Sequence, residues 1–377
     1  MELERSRNHP EYPSGTLVLD TAGERAMLDD FAADLDSRAL ASSTRRYYEA
    51  DFAQYESWCA RMKRPALPCD PEDVRLYLTD LSLQVDGQGV PRYRATTIER
   101  HLAALSRRNY DAGYGRELAR HPRVARTLAG IRNARQEKVN RKRPLLLEDL
   151  VRLITSMEHH VWPFGVTAAR DSLAFSLAFA TAIRREELTG LTLGQLSLMP
   201  ADGLWVNLGK TKTDQAGAGA VLAVPFGTKT VTCVPCAWAR WLRLLAAKDR
   251  AARMKLVLDM PEDPSDWQHV CRDGVVELDR DQPLLRAVTK SGRINAEELS
   301  TSGINQALKR RLIAAGFDPR GYSMHSWRAG FVTQARRNGV DSYAVRRQTR
   351  HSSDAMVDVY TREWLPLERN AVVDLGL

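Results

Sequence analysis

The sequence predicts a mainly α-helical protein with two domains, the second of which also contains a small β-sheet. At 377 residues, the chain is long enough to build two separate hydrophobic cores. Apolar residues recur at helical spacing on both sides of a polar, basic run at residues 132–143. The second half of that run, 138–143, is the expected linker. The predicted domains are therefore 24–137 and 144–377, preceded by a loose leader at 1–23.

Four helices account for the first domain. Three of them begin at sequence signals for helix starts: Ser42 or Ser43, Asp70 followed by Pro71, and Thr96 paired with Glu99 in a capping-box pattern. The fourth helix covers about residues 124–136. The first three carry apolar residues at spacings of three or four, so one face of each is expected to be buried.

The second domain is expected to combine helices with a β-hairpin. Residues 204–208 and 220–224 predict two strands, because both are short apolar runs on either side of a Gly-rich turn. The predicted helices lie at residues 148–157, 168–181, 237–247, 301–315, 325–338, 342–348 and 353–362. The helix at 168–181 is apolar enough to lie in the centre of the domain.

The charge of the chain favours a polyanionic partner. It has 55 Lys and Arg against 47 Asp and Glu, a net charge of +8, and such a balance is typical of nucleic-acid-binding proteins. No apolar run reaches the roughly 20 residues of a transmembrane helix, and the polar N-terminus does not resemble a signal peptide. We therefore expect a cytoplasmic, nucleoid-associated protein of prokaryotic, phage or plasmid origin, with no membrane partner.

Five scattered cysteines do not predict a disulfide framework. Cys233 and Cys236 have the Cys-x-x-Cys spacing of metal and redox sites, but no second pair follows at zinc-finger distance. They precede the predicted helix at 237–247, whose apolar stripe contains Trp238 and Trp241. The sequence therefore favours a packing role for both cysteines, and it predicts neither a metal nor a cofactor.

Seven polar side chains at fixed distances in the second domain form a set that suits attack on a phosphodiester. They are Arg184, Glu187, Lys212, His325, Arg328, His351 and Tyr360. A phenol can act as the nucleophile, guanidiniums neutralise charge on phosphoryl oxygens, and an amine can protonate the leaving alkoxide. The nearby carboxylates do not form the cluster that two-metal nucleases use. The set therefore predicts cleavage of DNA or RNA without a metal ion.

Four stretches carry these residues, at 181–191, 209–213, 325–328 and 351–360. In this order they resemble the tyrosine recombinase (phage integrase) family. That family has an Arg with a Glu three residues on, a Lys on a β-hairpin, a His-x-x-Arg, and a His or Trp nine residues before the Tyr. The gap of 35 residues from the first His to the Tyr is similar to that of simple two-domain, Cre-like members.

The resemblance extends into the first domain and shows one departure. Residues 71–78 and 97–102 are similar to the family's core-binding helices. The departure is Arg350, where the family usually has Gly. Because Gly serves left-handed helix caps, we expect the preceding helix to end differently here, and Arg350 offers an additional phosphate contact.

The resemblance implies both the fold and the residue roles. A helical core-binding (SAM-like) domain and a mostly helical catalytic domain would form a C-shaped clamp on DNA. Tyr360 would attack the scissile phosphate and leave a 3′-phosphotyrosyl link with a free 5′-hydroxyl. Arg184 and Arg328 would bind the phosphate, and Glu187 would brace the catalytic residues. His325 would accept the phenolic proton, and His351 would donate a hydrogen bond to the phosphate. Lys212 would protonate the leaving 5′-oxygen, with Lys210 as the competing candidate.

The expected partner is double-stranded DNA with inverted-repeat half-sites, bound by a homotetramer that is a monomer or weak oligomer when free. The residues expected at the DNA are Arg94, Arg100, Arg107 and Arg108 on the third helix, Arg141, Lys142 and Arg143 in the linker, and Lys210. Near the C-terminus, Ala371, Val372 and Leu375 form an apolar face. That tail either docks on a neighbouring protomer or folds onto its own chain, and the sequence leaves both open.

The predicted function is site-specific DNA recombination through a Holliday junction, without metal or ATP. A type IB topoisomerase uses a similar constellation, but the helical N-terminal domain favours a recombinase. The other alternative is a catalytically silent DNA-binding protein. The complete set of seven residues argues against it, because loss of function would be expected to change at least one of them.

Overall fold

The protein is described by a computed structural model over residues 21–38, 42–115, 117–135, 141–209, 219–274, 276–351 and 353–357. The chain divides into two compact units, unit 1 (Met1–Val139) and unit 2 (Asn140–Leu377). Both are mostly helical, as the sequence predicts, and unit 2 also contains two small antiparallel sheets. Within the described ranges, every helix is too short or too polar to cross a membrane.

Over its described residues, unit 1 contains five α-helices, one more than the sequence predicts. They are α1 (Thr21–Arg38), α2 (Ser42–Arg61), α3 (Pro71–Leu83), α4 (Ala95–Asp111) and α5 (Pro122–Arg135). The additional helix, α1, begins at Thr21, three residues before the predicted domain boundary at residue 24. Leu28 and Leu35 of α1 are exposed. The helix therefore has no buried apolar stripe of the kind that sequence periodicity detects.

The core of unit 1 is built around three aromatic side chains from α2 and α3. Tyr55 stacks on Trp58, with ring centroids 6.1 Å apart, and Tyr77 meets Tyr55 edge-on at 5.1 Å. All three are buried. The start of α3 confirms the predicted cap, since the Asp70 carboxylate accepts hydrogen bonds from the backbone N–H groups of the first turn.

The predicted capping box of α4 is wrong. The helix begins two residues earlier than a cap at Thr96 requires, at Ala95, and its N-cap residue Arg94 makes no side-chain cap hydrogen bond. Thr96 therefore lies inside the first turn rather than before it. The Glu99 carboxylate instead pairs with Arg132 of α5 at 2.5 Å, so a tertiary ion pair uses the group that a capping box would need.

Unit 2 contains all the predicted helices that fall within the described residues, with ends shifted by a few positions. The helices are α6 (Leu147–Thr155), α7 (Phe164–Thr181), α8 (Arg185–Thr189), α9 (Val234–Ala246), α10 (Arg250–Leu258), α11 (Thr301–Ala314), α12 (His325–Arg337) and α13 (Ser342–Thr349). Residues 354–357 form a helical turn, as expected. Helix α8 is only five residues long, too short to show a periodicity. Helix α10 contains apolar residues, but only Val257 among them is buried, so they do not mark one buried face.

Helix α7 lies in the centre of unit 2, as its apolar sequence predicts. Phe175 is fully buried and stacks on Trp327 of α12, with ring centroids 5.6 Å apart. Helix α12 is fixed a second time by the segment before α6. There the Leu145 N–H donates to the Ser326 carbonyl, and a Cβ at Gly330 would lie 1.6 Å from the Leu145 oxygen. Only glycine permits this approach, which sets the position of α12.

The two sheets of unit 2 are small and antiparallel. The first has the order β1 (Leu196–Met199), β2 (Gly203–Leu208) and β3 (Ala220–Pro225), and the second pairs β4 (Arg286–Val288) with β5 (Ile294–Glu298). The predicted hairpin is confirmed, since β2 pairs with β3 from Gly203 opposite Pro225 to Leu208 opposite Ala220. Its connection at 210–218 contains Lys210 and Lys212 and lies outside the described residues.

Candidate active site

The junction between α7 and α8 begins the candidate site. Helix α7 ends at Thr181, and its C-cap residue Ala182 turns the chain sharply through a left-handed conformation (φ 49°, ψ 29°). Two residues later Arg184 serves as the N-cap residue of α8. A left-handed non-glycine residue costs about 1 kcal/mol, so the surrounding contacts must hold this turn. The carbonyl of Ala182 supplies one such contact, because it accepts a hydrogen bond from Arg328 Nη1 at 2.7 Å.

Arg328 is the buried cation of the site. It lies in the first turn of α12 and is 2% exposed. Besides the bond to Ala182, its Nε donates to His351 Nε2 at 3.3 Å. These two contacts fix the plane of the guanidinium. Its position therefore depends on the end of α7, on α12 and on His351, which follows α13.

His351 is held as the neutral tautomer that carries its proton on Nδ1. Its Nε2 accepts from Arg328, so Nδ1 donates to the Thr349 hydroxyl at 2.9 Å. Burial, with the positive charges of Arg328 and Arg184 behind it, lowers the pKa of His351 to about 3. In this state Nε2 is an acceptor. To donate the predicted hydrogen bond to phosphate from Nε2, His351 must give up its contact with Arg328 and carry a proton on that nitrogen.

His325 lies at the first position of α12, beside the same cations. It is exposed at the surface of unit 2. Partial removal of water and the charges of Arg328 and Arg184 lower the pKa of His325. A neutral imidazole at the surface can accept a proton, which fits the role predicted for this residue.

Glu187 joins the two ends of the site. Its carboxylate accepts from the Arg184 backbone N–H at 3.0 Å and from Arg184 Nη1 at 3.1 Å. It also receives two hydrogen bonds from Arg350. Burial pushes the pKa of Glu187 upward, but the hydrogen bonds from Arg350 and Arg184 outweigh it and hold the pKa below its usual range.

Arg350 forms a left-handed helix cap, a conformation that glycine adopts most easily. Its φ is 59° and its ψ 38°, and its N–H bonds to the Arg346 carbonyl at the end of α13. The expectation that α13 ends differently is therefore wrong. The side chain is 13% exposed and binds Glu187 rather than lying open to solvent. The favourable interaction with Glu187 offsets the energetic cost of the left-handed backbone at Arg350.

Four of the seven predicted residues come together: Arg184, His325, Arg328 and His351. The charges of the two arginines act on the pKa of both histidines. Glu187 adjoins them through Arg184. Tyr360 and Lys212, with its competitor Lys210, lie outside the described residues. Three residues before Tyr360, Val357 packs in a buried cluster with Val332 of α12 and Val345 of α13. The described chain thus runs against α12 up to that point.

The four arginines predicted on the third helix lie on α4 or, for Arg94, at its N-cap, and they have different surroundings. Arg94 and Arg108 are exposed, and Arg108 lies over the Phe52 ring at 5.4 Å. Arg107 pairs with Asp111 one turn away at 2.8 Å. Arg100 binds both oxygens of the buried Asp51, at 2.7 and 3.0 Å. Arg100 therefore has a structural attachment that Arg94 and Arg108 do not share.

The linker residues 141–143 are the other described members of the predicted DNA-contact set. Arg141 and Arg143 are exposed, and Lys142 is half-buried. Arg143 lies over the Tyr322 ring at 5.5 Å, and its N–H donates to the Gly321 carbonyl at 3.0 Å. The end of the linker is thus attached to unit 2.

Sequence reasoning missed two parts of this site, the Ala182 carbonyl and the Thr349 hydroxyl. Both orient a predicted residue, Arg328 in the first case and His351 in the second. A backbone carbonyl has no residue-type signal. Thr349, two residues before a predicted histidine, could have been noticed as a possible hydrogen-bond partner for its ring.

Comparison with known proteins points to recombinases and integrases. No protein-family model matches this chain. The "Integrase/recombinase xerD homolog" of Selenomonas ruminantium is 26% identical over 337 residues, which are 89% of this chain and 86% of that protein. The "Recombinase cre" of Escherichia phage P1 is 27% identical over 221 residues, 57% of this chain and 58% of that protein.

A solved structure supports the same fold. The Tn1549 transposon integrase in complex with transposon right end DNA aligns with a TM-score of 0.52, covering 88% of this chain and 92% of its own. The sequence identity is 15%, so this similarity concerns the fold. It covers parts of both units.

Proposed function

Because the chain belongs to the tyrosine recombinase (phage integrase) family, we propose that it is a site-specific DNA recombinase acting through a covalent 3′-phosphotyrosyl intermediate. The observation that carries this proposal is the convergence of Arg184, His325, Arg328 and His351, braced by Glu187, in one part of unit 2. Two guanidiniums and two imidazoles together fit a phosphate whose charge grows during substitution.

Arg328 and Arg184 would contact the phosphate in different ways. Arg328 is buried and rigidly held, which suits a donor prepared in advance for the transition state. The side chain of Arg184 is 27% exposed, and Glu187 restricts its movement. Arg184 would therefore meet the incoming DNA from the open side of the site, and its planar fork can bind two phosphate oxygens.

Tyr360 would supply the nucleophile. Its phenolic oxygen forms the new bond to phosphorus as the bond to the 5′-oxygen of the next nucleotide breaks. The phenolic proton passes to His325, and Lys212 or Lys210 protonates the departing 5′-oxygen. The phosphotyrosyl ester keeps the energy of the broken bond, so a second 5′-hydroxyl can reverse the step without ATP and join a different strand. Two such exchanges make and resolve a Holliday junction.

The proposed partner is duplex DNA with inverted-repeat half-sites, bound by four protomers, with contacts from both units to each half-site. The exposed Arg94, Arg108, Arg141 and Arg143 support backbone contacts from each unit. Arg100 and Arg107 make ion pairs in the protein, so their share in binding DNA would be smaller.

Covalent trapping tests the proposed chemistry. The protein would be mixed with DNA fragments flanking its gene, nicked near candidate sites so that the cleaved strand escapes. We expect a denaturant-resistant, protease-sensitive adduct with the wild type and none with Tyr360→Phe. The matched control is Tyr343→Phe, because Tyr343 is 76% exposed on α13. An adduct from Tyr360→Phe would assign the nucleophile elsewhere. Relaxation of supercoiled plasmids lacking the site would support a topoisomerase instead.

A further inference from the structure

A second group of reactive side chains lies in unit 2, apart from the candidate active site. Cys233, Cys236, His269 and Cys271 bring three thiols and an imidazole together, and their ligand atoms all lie within 4.8 Å of one another. The three cysteines are buried, and the histidine is exposed. No step of the proposed recombination uses these residues.

The start of α9 positions the first two thiols. Cys233 is the N-cap residue of this helix and Cys236 belongs to its first turn, so both side chains lie at the same helix end. Unsatisfied backbone N–H groups make a helix N-terminus favourable for negative charge, which stabilises thiolates.

A loop 33 residues further along the chain supplies the other two ligands. His269 Nδ1 lies 3.3 Å from the sulfur of Cys236. Val270 lies between these two ligands in the sequence, and its N–H donates to the sulfur of Cys236 at 3.4 Å. A matching bond runs from the Gly227 N–H to the sulfur of Cys233 at 3.3 Å. Backbone N–H groups directed at sulfur are the outer contacts that orient thiolate ligands around a metal.

We propose that Cys233, Cys236, His269 and Cys271 form a structural zinc site. Zinc bound tetrahedrally by sulfur at about 2.3 Å and nitrogen at about 2.1 Å separates its ligands by roughly 3.5 to 3.8 Å. The Sγ–Nδ1 distance of 3.3 Å is close to that value, and the upper limit of 4.8 Å requires a contraction of only about 1 Å. With four protein ligands, the site has no open position for substrate, so its role is structural.

The surroundings suit the charge of such a site. Three thiolates and a neutral imidazole around Zn²⁺ leave one negative charge, since +2 and −3 sum to −1. Arg240 lies within electrostatic range of all three thiols. It also donates to the Gln268 carbonyl at 3.0 Å and lies over the Trp267 ring at 4.9 Å. One arginine thus balances the charge and holds the ligand loop against α9.

The zinc would fasten a segment that has little regular structure. Between α10 and β4, the described residues contain one short 3₁₀ turn and no longer element. Long irregular segments need another source of order than a helix or sheet, and a metal site provides it where the core is small. In this proposal the pair Cys233 and Cys236 acquires a second pair of ligands, His269 and Cys271. The zinc role adds to the predicted packing role, since the three cysteines also form a buried cluster.

Metal content tests the site on the full chain, purified under reducing conditions without a polyhistidine tag. We expect about one zinc per chain by mass spectrometry, and less than one tenth of that in Cys236→Ser and Cys271→Ser. The matched control is Cys59→Ser, a buried cysteine of unit 1, which should retain full zinc. His269→Cys should also retain zinc, because it changes one ligand for another, whereas His269→Ala should lose most of it.

Cobalt substitution tests the geometry independently of how the variants fold. The reduced wild-type protein titrated with Co²⁺ should show one equivalent of tetrahedral ligand-field bands and thiolate charge-transfer bands, displaced by Zn²⁺. Removal of zinc by a chelator should lower the melting temperature by roughly 5 °C or more. A reduced wild-type protein that binds neither metal, or a native Cys233–Cys236 disulfide that resists alkylation, would overturn the proposal.

Discussion

The guanidinium of Arg350 binds both carboxylate oxygens of Glu187, with Nη2–Oε2 at 2.5 Å and Nη1–Oε1 at 3.2 Å. The same carboxylate holds the backbone and side chain of Arg184. The end of α13 and the start of α8 are therefore joined through one acidic group. The position of Arg184, which is proposed to bind the scissile phosphate, therefore depends on the same carboxylate that holds Arg350.

Replacing Glu187 with Gln should loosen Arg184 and Arg350 together. Because charge-assisted hydrogen bonds are lost at a partly buried position, we expect the free energy of unfolding to fall by about 2 kcal/mol. We expect the rate of cleavage to fall by roughly tenfold or more. Chemical denaturation and single-turnover cleavage measure the two effects. The control is Glu186→Gln, since Glu186 is an exposed neighbour paired with Arg185. Equal effects of both changes would contradict a bracing role for Glu187.

Two changes at Arg350 separate its backbone from its side chain. Both Arg350→Gly and Arg350→Ala remove the bonds to Glu187, but only glycine adopts a φ of 59° without strain. We therefore expect the Ala variant to be less stable than the Gly variant by about 1 kcal/mol in chemical denaturation. Equal stability would mean that the left-handed cap is absent in solution.

The buried neutral His351 should make stability depend on pH. The unfolded chain takes up this proton below pH 6.5, whereas the folded pKa is about 3. Its contribution is therefore complete above pH 6.5 and is lost as pH falls toward 3. At pH 4.5 the loss should be about 2 to 3 kcal/mol relative to pH 7.

His351→Gln should remove that part of the pH dependence. Denaturant unfolding at pH 7 and pH 4.5 compares the variant with the wild type, and His160→Gln, at a histidine outside the site, serves as the control. If His351→Gln retained the wild-type loss of stability at pH 4.5, the buried neutral imidazole would not be its source.

Arg328→Ala should affect cleavage far more than binding. The buried guanidinium is held by the Ala182 carbonyl and His351, and its loss removes a prepared donor to the transition state. We expect cleavage to fall by about 100-fold or more, with DNA affinity changed by less than about tenfold. Arg337→Ala, at an exposed arginine of the same helix, is the control. Similar losses of binding and cleavage would make Arg328 a simple DNA anchor.

Arg94, the N-cap residue of α4, and Arg100, inside that helix, should behave differently. Arg94→Ala should lower the slope of log affinity against log salt by about 1 and leave stability unchanged. Arg100→Ala should instead destabilise unit 1, because Asp51, 4% exposed, would lose its two bonds to the guanidinium. Salt-dependent binding and thermal unfolding of both variants measure this contrast. A stable Arg100→Ala protein with a reduced salt slope would reverse the assignment.

Most of the helices and the central hairpin could be predicted, since their apolar residues repeat at regular spacings. Helices α7 and α12 and strands β2 and β3 are examples. Helix α1 could not, because Leu28 and Leu35 are exposed and its sequence carries no burial pattern. The start of α4 was misplaced since Glu99 bonds to Arg132 in another helix, a choice that local signals cannot reveal.

The sequence by itself determined which chemical groups this protein has, in what order, and which family they resemble, the tyrosine recombinases. Residue types, spacing and periodicity are local properties that survive in a linear string. Only the tertiary structure decided that His351 is a neutral acceptor for Arg328, that Arg350 braces Glu187, and that two cysteines meet His269 and Cys271. Each of these contacts joins segments far apart in the chain, and packing alone sets their distance, their loss of water and hence their charge.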